Sequence, residues 1–201
     1  MAALAISADG EHIFVALEDG GGLPVILTAT RSDLSTWVEA YAPGAGSAAN
    51  VASVPSDADR MLFYGNFGNG VQVVSHVISA SVETNISPTG LTTKVVNTLQ
   101  VDPSEPLTIQ ITVSTDQDFL ATYDGGTVWV TLNAALGFDA TAQLALWAGS
   151  YDYDRSFLGG AVTGAAALRY SPNEGASLSD TTGAALDAAA VNIIGLEGVE
   201  P

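Results

Sequence analysis

Short apolar runs separated by Gly, Asp, Asn and Pro recur along the whole chain, the pattern of many short β-strands joined by tight turns. The runs are themselves periodic. Four segments end alike, TWVEAYAPG at Gly44, VETNISPTG at Gly90, VWVTLNAALG at Gly137 and SLSDTTG at Gly183, spaced by 46, 47 and 46 residues. After each glycine comes an apolar strand: NVASV from Asn50, VNTLQV from Val96, AQLALWA from Ala142 and AVNIIGL from Ala190. ALAIS, residues 3–7, supplies the same element at the N-terminus. Each strand runs into an acidic turn (SADGEH, PSDADR, DPSEP, SYDYDR) and then into a second apolar run, IFVAL, MLFYGNF, LTIQITV or SFLGGAV. Two further strand-like pieces complete each unit.

Four strands every 46 or so residues predict an all-β fold, a four-bladed β-propeller or a four-blade portion of a larger propeller assembly. The blades are 1–44, 45–90, 91–137 and 138–183, and 184–201 holds an extra strand. A β-sandwich also suits evenly spaced short strands, but has no reason to repeat at this interval. The Ala-rich segment 181–191 is read as loop entering a strand.

Blade three carries a sharper feature. Thr122, Asp124, Gly126 and Trp129 in TYDGGTVW resemble the Asp-box of the bacterial neuraminidase repeat, S/T-x-D-x-G-x-T-W, with Val128 at the family's second Thr. SPNEGASL (Ser171, Asn173, Gly175, Ser177) fits well, while TRSDLSTW (Thr30, Ser32, Thr36, Trp37) and SHVISASV (Ser75, Ser79, Ser81, Val82) fit in degraded form. The resemblance implies a box at the third-to-fourth strand turn of every blade. In that family the box stabilises the fold, so it implies no catalysis. The physics agrees: a carboxylate accepts N–H groups across its turn, glycine permits φ > 0, and the aromatic packs between blades.

Charge narrows the partners. Five basic residues against 22 acidic ones give a net charge of -17, which repels nucleic-acid phosphates and anionic membranes. Without cysteine there are no disulfides and no thiolate chemistry. The first residues lack the basic segment of a signal peptide, and no run approaches the roughly 18 apolar residues of a membrane span. Abundant Ala, Gly, Ser, Thr and Val with a single lysine, Lys94, suit an extracellular or cell-surface structural protein.

Candidate chemistry is sparse. Sialidases resembling this repeat use three arginines on the substrate carboxylate, whereas Arg31, Arg60, Arg155 and Arg169 show no pattern that makes three converge. His12 and His76 have no nucleophile motif beside them. Carboxylate pairs two apart, Asp57 with Asp59 and Asp152 with Asp154, are the best candidates for calcium, against the plain reading of Asp as a solvated turn residue. Phe63, Tyr64, Phe67, Trp147, Tyr151 and Tyr153 could line a glycan-binding rim or serve as blade packing. No cofactor is expected.

Five strands of the innermost type stand against four blades, so one is surplus. Ala190, which opens AVNIIGL, lies seven residues past Gly183, as Asn97 and Leu144 of the innermost strands lie seven past Gly90 and Gly137, and an unpaired apolar strand must find a partner. Burying Val191, Ile193 and Ile194 would contribute roughly 5 to 8 kcal/mol before entropy. The expected function is therefore a non-enzymatic, self-assembling structural subunit of a fibre, filament or layer, its partners copies of itself joined by strand exchange. A propeller binding module for glycan or protein is the alternative, and a sialidase-type glycosidase a third reading.

Overall fold

The computed structural model describes residues 3–91, 94–113, 118–133, 137–138, 145–148, 156–162, 165–173 and 177–180. These form sixteen strands in four antiparallel sheets, each a meander of four strands taken in chain order. Blade 1 holds β1 (Ala3–Ile6), β2 (His12–Glu18), β3 (Pro24–Thr30) and β4 (Asp33–Tyr41). Blade 2 holds β5 (Ala48–Ser53), β6 (Arg60–Asn66), β7 (Val73–Val77) and β8 (Val82–Asn85). Blade 3 holds β9 (Val96–Val101), β10 (Ile109–Val113), β11 (Asp118–Thr122) and β12 (Val130–Asn133). Blade 4 holds β13 (Ala145–Ala148), β14 (Ser156–Val162), β15 (Ala165–Ser171) and β16 (Ser179–Asp180). No helix occurs among the described residues. The repeat glycines 44, 90 and 137 have φ of 72°, 89° and 75°, which favours a residue without Cβ at each recurring turn.

The first strands of successive blades pack on one another, β1 on β5, β5 on β9 and β9 on β13. No comparable packing joins β1 to β13 among the described residues, so the sheets form an open arc. Three cores fill the seams. Phe14, Ala16 and Ile26 meet Met61, Phe63 and Val74 between blades 1 and 2. Leu62, Val73 and Ile86 meet Ile109, Ile111 and Leu120 between blades 2 and 3. Phe119 meets Leu146 and Leu158 between blades 3 and 4. Each large side chain so buried contributes about 1.5 to 3 kcal/mol.

Directly paired residues share a face of a sheet, which makes one row in each blade comparable. The rows are Leu4–Val15–Leu27, Val51–Phe63–Val74, Leu99–Ile111–Leu120 and Leu146–Leu158–Arg169. In blades 2 to 4 this row turns toward the preceding blade, and Val51, Phe63, Val74, Ile111 and Leu158 are buried in the seams.

Side chains also clamp the seams. The Arg60 guanidinium donates from Nε to Ser75 Oγ at 2.9 Å and from Nη1 to the Pro106 carbonyl of blade 3 at 3.1 Å, and its burial lowers its pKa. Trp129 Nε1–H reaches back to the Ile86 carbonyl of blade 2 at 2.7 Å. Arg169 donates to the Gly137 carbonyl at 3.2 Å and lies 5.0 Å from the Phe138 ring centroid. Arg60 and Arg169 thus serve separate seams and do not converge, Arg31 sits in the turn between β3 and β4, and Arg155 lies outside the described residues.

Candidate functional site

The third-to-fourth strand turns divide the blades into two kinds. In blade 3 the Thr122 hydroxyl donates to Asp124 Oδ1 at 2.8 Å and accepts the Gly126 N–H at 2.9 Å. Asp124 Oδ1 also accepts the Val128 N–H at 2.9 Å. The Val128 amide and the Thr122 hydroxyl together hold the Asp124 carboxyl below its ordinary value. Gly126 has φ of 103°, and a Cβ there would come 2.5 Å from Ile86 Cβ, so the turn is pressed onto blade 2. Blade 4 repeats the bond pattern with an amide: the Ser177 N–H donates to Asn173 Oδ1 at 2.9 Å, and Ser171 Oγ lies 3.2 Å from that oxygen. Gly175 lies outside the described residues.

Blades 1 and 2 depart from the expected box. Thr30 pairs with Asp33 across a two-residue loop, and Ser75 lies inside β7, ahead of a turn at 78–81. The reason is chemical. The third place of the motif holds Ser32 in blade 1 and Val77 in blade 2, neither of which has a side-chain carbonyl oxygen to accept the N–H four residues on. Trp37 consequently stands in β4, 40% exposed, its Nε1–H bonded to the Leu34 carbonyl of its own strand at 3.1 Å.

The acidic turns are spent on themselves. Asp57 Oδ1 accepts the Asp59 N–H at 3.1 Å, while Asp59 takes both the hydroxyl of Ser79 at 2.6 Å and its N–H at 2.7 Å. These Ser79 bonds lower the Asp59 pKa, as the Ser7 hydroxyl and Glu11 N–H lower that of Asp9. No group of three or more His, Cys, Asp or Glu is placed to hold a metal among the described residues, and Asp152 and Asp154 lie outside them. Of the aromatic residues read as a rim, Phe63 and Phe67 are fully buried, and Tyr64 packs on the blade 2–3 core, burial pushing its phenol up to about 12. Tyr151 and Tyr153 lie outside the described residues, as do Val191, Ile193 and Ile194 of the surplus strand.

One surface was missed from the sequence. On the first blade Leu4 is 63% and Ile6 46% exposed, although Val51, the counterpart of Leu4 in blade 2, is 7% exposed. Beside them Val15, Leu17, Leu27 and Trp37 line an apolar groove of about 210 Å³. The available signal was the alternation ALAI in β1, which places Leu4 and Ile6 on the face opposite Ala3 and Ala5.

No family model matches the chain, and no curated protein is significantly similar to it. Solved structures do match. The GH74 enzyme of Niastella koreensis superposes with a TM-score of 0.62 at 16% identity, over 92% of this chain and 25% of that one. TolB from Acinetobacter baumannii gives 0.63 at 11% identity, over 89% and 42%. YCF48 from Cyanidioschyzon merolae gives 0.57 at 12% identity, over 89% and 54%. The chain therefore spans from about a quarter to about half the length of these structures. The likeness is one of fold, and with the four meanders it defines the class: an all-β, four-bladed propeller whose sheets are not closed into a ring among the described residues.

Proposed function

We propose that this chain is a non-enzymatic structural propeller unit that self-assembles head to tail, the outer face of blade 1 docking on blade 4 of a second copy. One observation carries the reading: the Leu4–Val15–Leu27 row is open, while its counterparts in blades 2 to 4 serve as blade-to-blade seams. What covers that row elsewhere in the arc is always the rear face of the preceding blade, and the proposal assigns that role to blade 4 of a second copy. There Phe157 and Tyr170 pair 5.0 Å apart on the side opposite Leu158. A contact of this type is heterologous: it closes into a ring if the rotation fits and otherwise runs on as a filament. Two four-blade arcs would make eight blades, within the usual range of roughly four to eight for propellers.

The surplus strand at 190–196 and an extracellular or surface setting belong to the same proposal, as does the Asp-box character of the repeat. The hydrogen bonds around Asp124 and Asn173 support the last of these. Negative-stain images of the purified full chain test the assembly. Closed discs or filaments are expected; single open arcs, or hydrolysis of a fluorogenic sialoside or glycoside, would overturn it.

A further inference from the structure

The loop between β6 and β7 carries Asn69–Gly70, the one place in the chain where glycine follows asparagine. Asn69 is exposed, and its Oδ1 accepts the Val71 N–H at 3.1 Å. The Gly70 N–H has no hydrogen-bond partner among the described residues. Glycine follows aspartate at three other places, and two of those amides are engaged: Gly10 donates to the Ser7 carbonyl at 2.8 Å and Gly125 to the Leu107 carbonyl at 2.9 Å. Both limbs of the Asn69 loop are anchored. Phe67 is fully buried in the seam between blades 1 and 2, and the Asn66 carbonyl accepts the Ser47 N–H at 3.0 Å. On the far side Gln72 is fully buried, and the Gln72 and Val73 N–H groups donate to Ser87 Oγ at 2.9 and 3.0 Å.

We propose that Asn69 is a site of spontaneous modification, deamidation through a cyclic imide shared with Gly70. The Gly70 nitrogen attacks the side-chain carbonyl carbon of Asn69. A C–N bond forms there, the bond to Nδ2 breaks, and the Gly70 N–H proton passes through water to Nδ2, which leaves as ammonia. Water then opens the ring at either carbonyl. Opening at the side-chain carbonyl gives aspartate; opening at the main-chain carbonyl gives isoaspartate, whose main chain is longer by one methylene. Three features favour the attack. Glycine puts no Cβ beside the attacking nitrogen, that nitrogen's proton is held by no acceptor, and the Val71 N–H lies where negative charge develops on Oδ1 as the ring closes. Asn50, Asn66 and Asn85 are followed by the bulkier Val51, Phe67 and Ile86. At the aspartate–glycine pairs the electrophile is a carboxylate, a poorer one than an amide above about pH 5. Either product adds a negative charge to the existing -17, and isoaspartate also lengthens the loop between the two buried anchors Phe67 and Gln72, which loosens it.

The test incubates the full chain at pH 8 and 37 °C, folded and in urea, and maps the tryptic peptide 61–94, cut after Arg60 and Lys94, by tandem mass spectrometry. In the folded chain the mass change of NH2 replaced by OH is expected at residue 69, more of it as isoaspartate than as aspartate. Asn66 and Asn85 in the same peptide should change at least about tenfold more slowly. Asn69→Gln, a substitution on an exposed side chain, should abolish the change, and the aged native chain should unfold at lower urea than the aged variant. A folded chain that keeps Asn69 while the unfolded chain converts it, or earlier change at Asn66 or Asn85, would overturn the site. Equal urea midpoints of the two aged chains would overturn its effect on the loop.

Discussion

Val51, Phe63 and Val74 of blade 2 and Leu4, Val15 and Leu27 of blade 1 occupy the same places in the same four-stranded meander. The first three are 7%, 0% and 2% exposed, whereas Leu4 is 63% exposed and its neighbours line an open groove. A blade is apolar on both faces, because every blade inside the arc has a neighbour on each side. Among the described residues the row of blade 1, which has no preceding blade, is left open, and an exposed apolar sheet face is a surface that recruits a partner.

The contrast gives its largest effect at the centre of each row. Phe63→Ala should cost about 3 to 5 kcal/mol of folding stability, read from urea unfolding, while Leu4→Ala stays within about 0.5 kcal/mol at dilutions where copies are apart. Equal losses would mean that the blade 1 row is covered within the single chain. The two tryptophans sharpen the same point. Trp129, tied to Ile86 across a seam, should cost about 3 kcal/mol on truncation to Ala; Trp37, tied only to its own strand, should cost well under half of that in the dilute chain. Gly126→Ala strains a φ of 103° and drives a methyl into Ile86, so a loss of about 1 to 3 kcal/mol is expected. In blade 1, where the corresponding loop is a two-residue hairpin, no substitution of that kind exists.

The smallest effect concerns acid. Asp124 has its folded pKa below the ordinary 3.8, so its contribution is present above that value and is lost as pH falls through the lowered one. Asn173 fills the same place in blade 4 and does not titrate. The Val128 amide resonance should therefore move below about pH 4 while that of Ser177 stays, and parallel movement would show that the carboxylate is not what holds the turn.

The blades were legible in the chain because glycine spacing and strand period are local properties. The second strand of every blade and the innermost strands of blades 1 to 3 fall where the apolar runs place them, and blade 4's β13 occupies the end of its run. The turn at Asp124 was legible for the same reason, since its bonds span four residues. The degraded boxes were not: matching Thr30 and Trp37 to the motif hides the fact that a seven-residue turn needs a side-chain carbonyl at its third place. Phe63 and Phe67 read equally well as rim or core, and only the seam with blade 1 decides between them. A cavity of about 330 Å³ between blades 1 and 2 joins residues as far apart as His12 and Ser81, beyond any local pattern. The His76–Glu83 pair could have been found by counting back from the β7–β8 turn, which sets the two directly opposite.

The central claim, that the blade 1 face is a seam completed by another copy, is tested most directly by light scattering on the full chain and on Leu4→Asp with Leu27→Asp. The account predicts a mass of at least twice the 20.5 kDa chain for the first and a single chain with unchanged far-UV dichroism for the variant. A single-chain mass for both, with the variant less stable, would contradict it and place residues 184–201 of the same chain on that face instead.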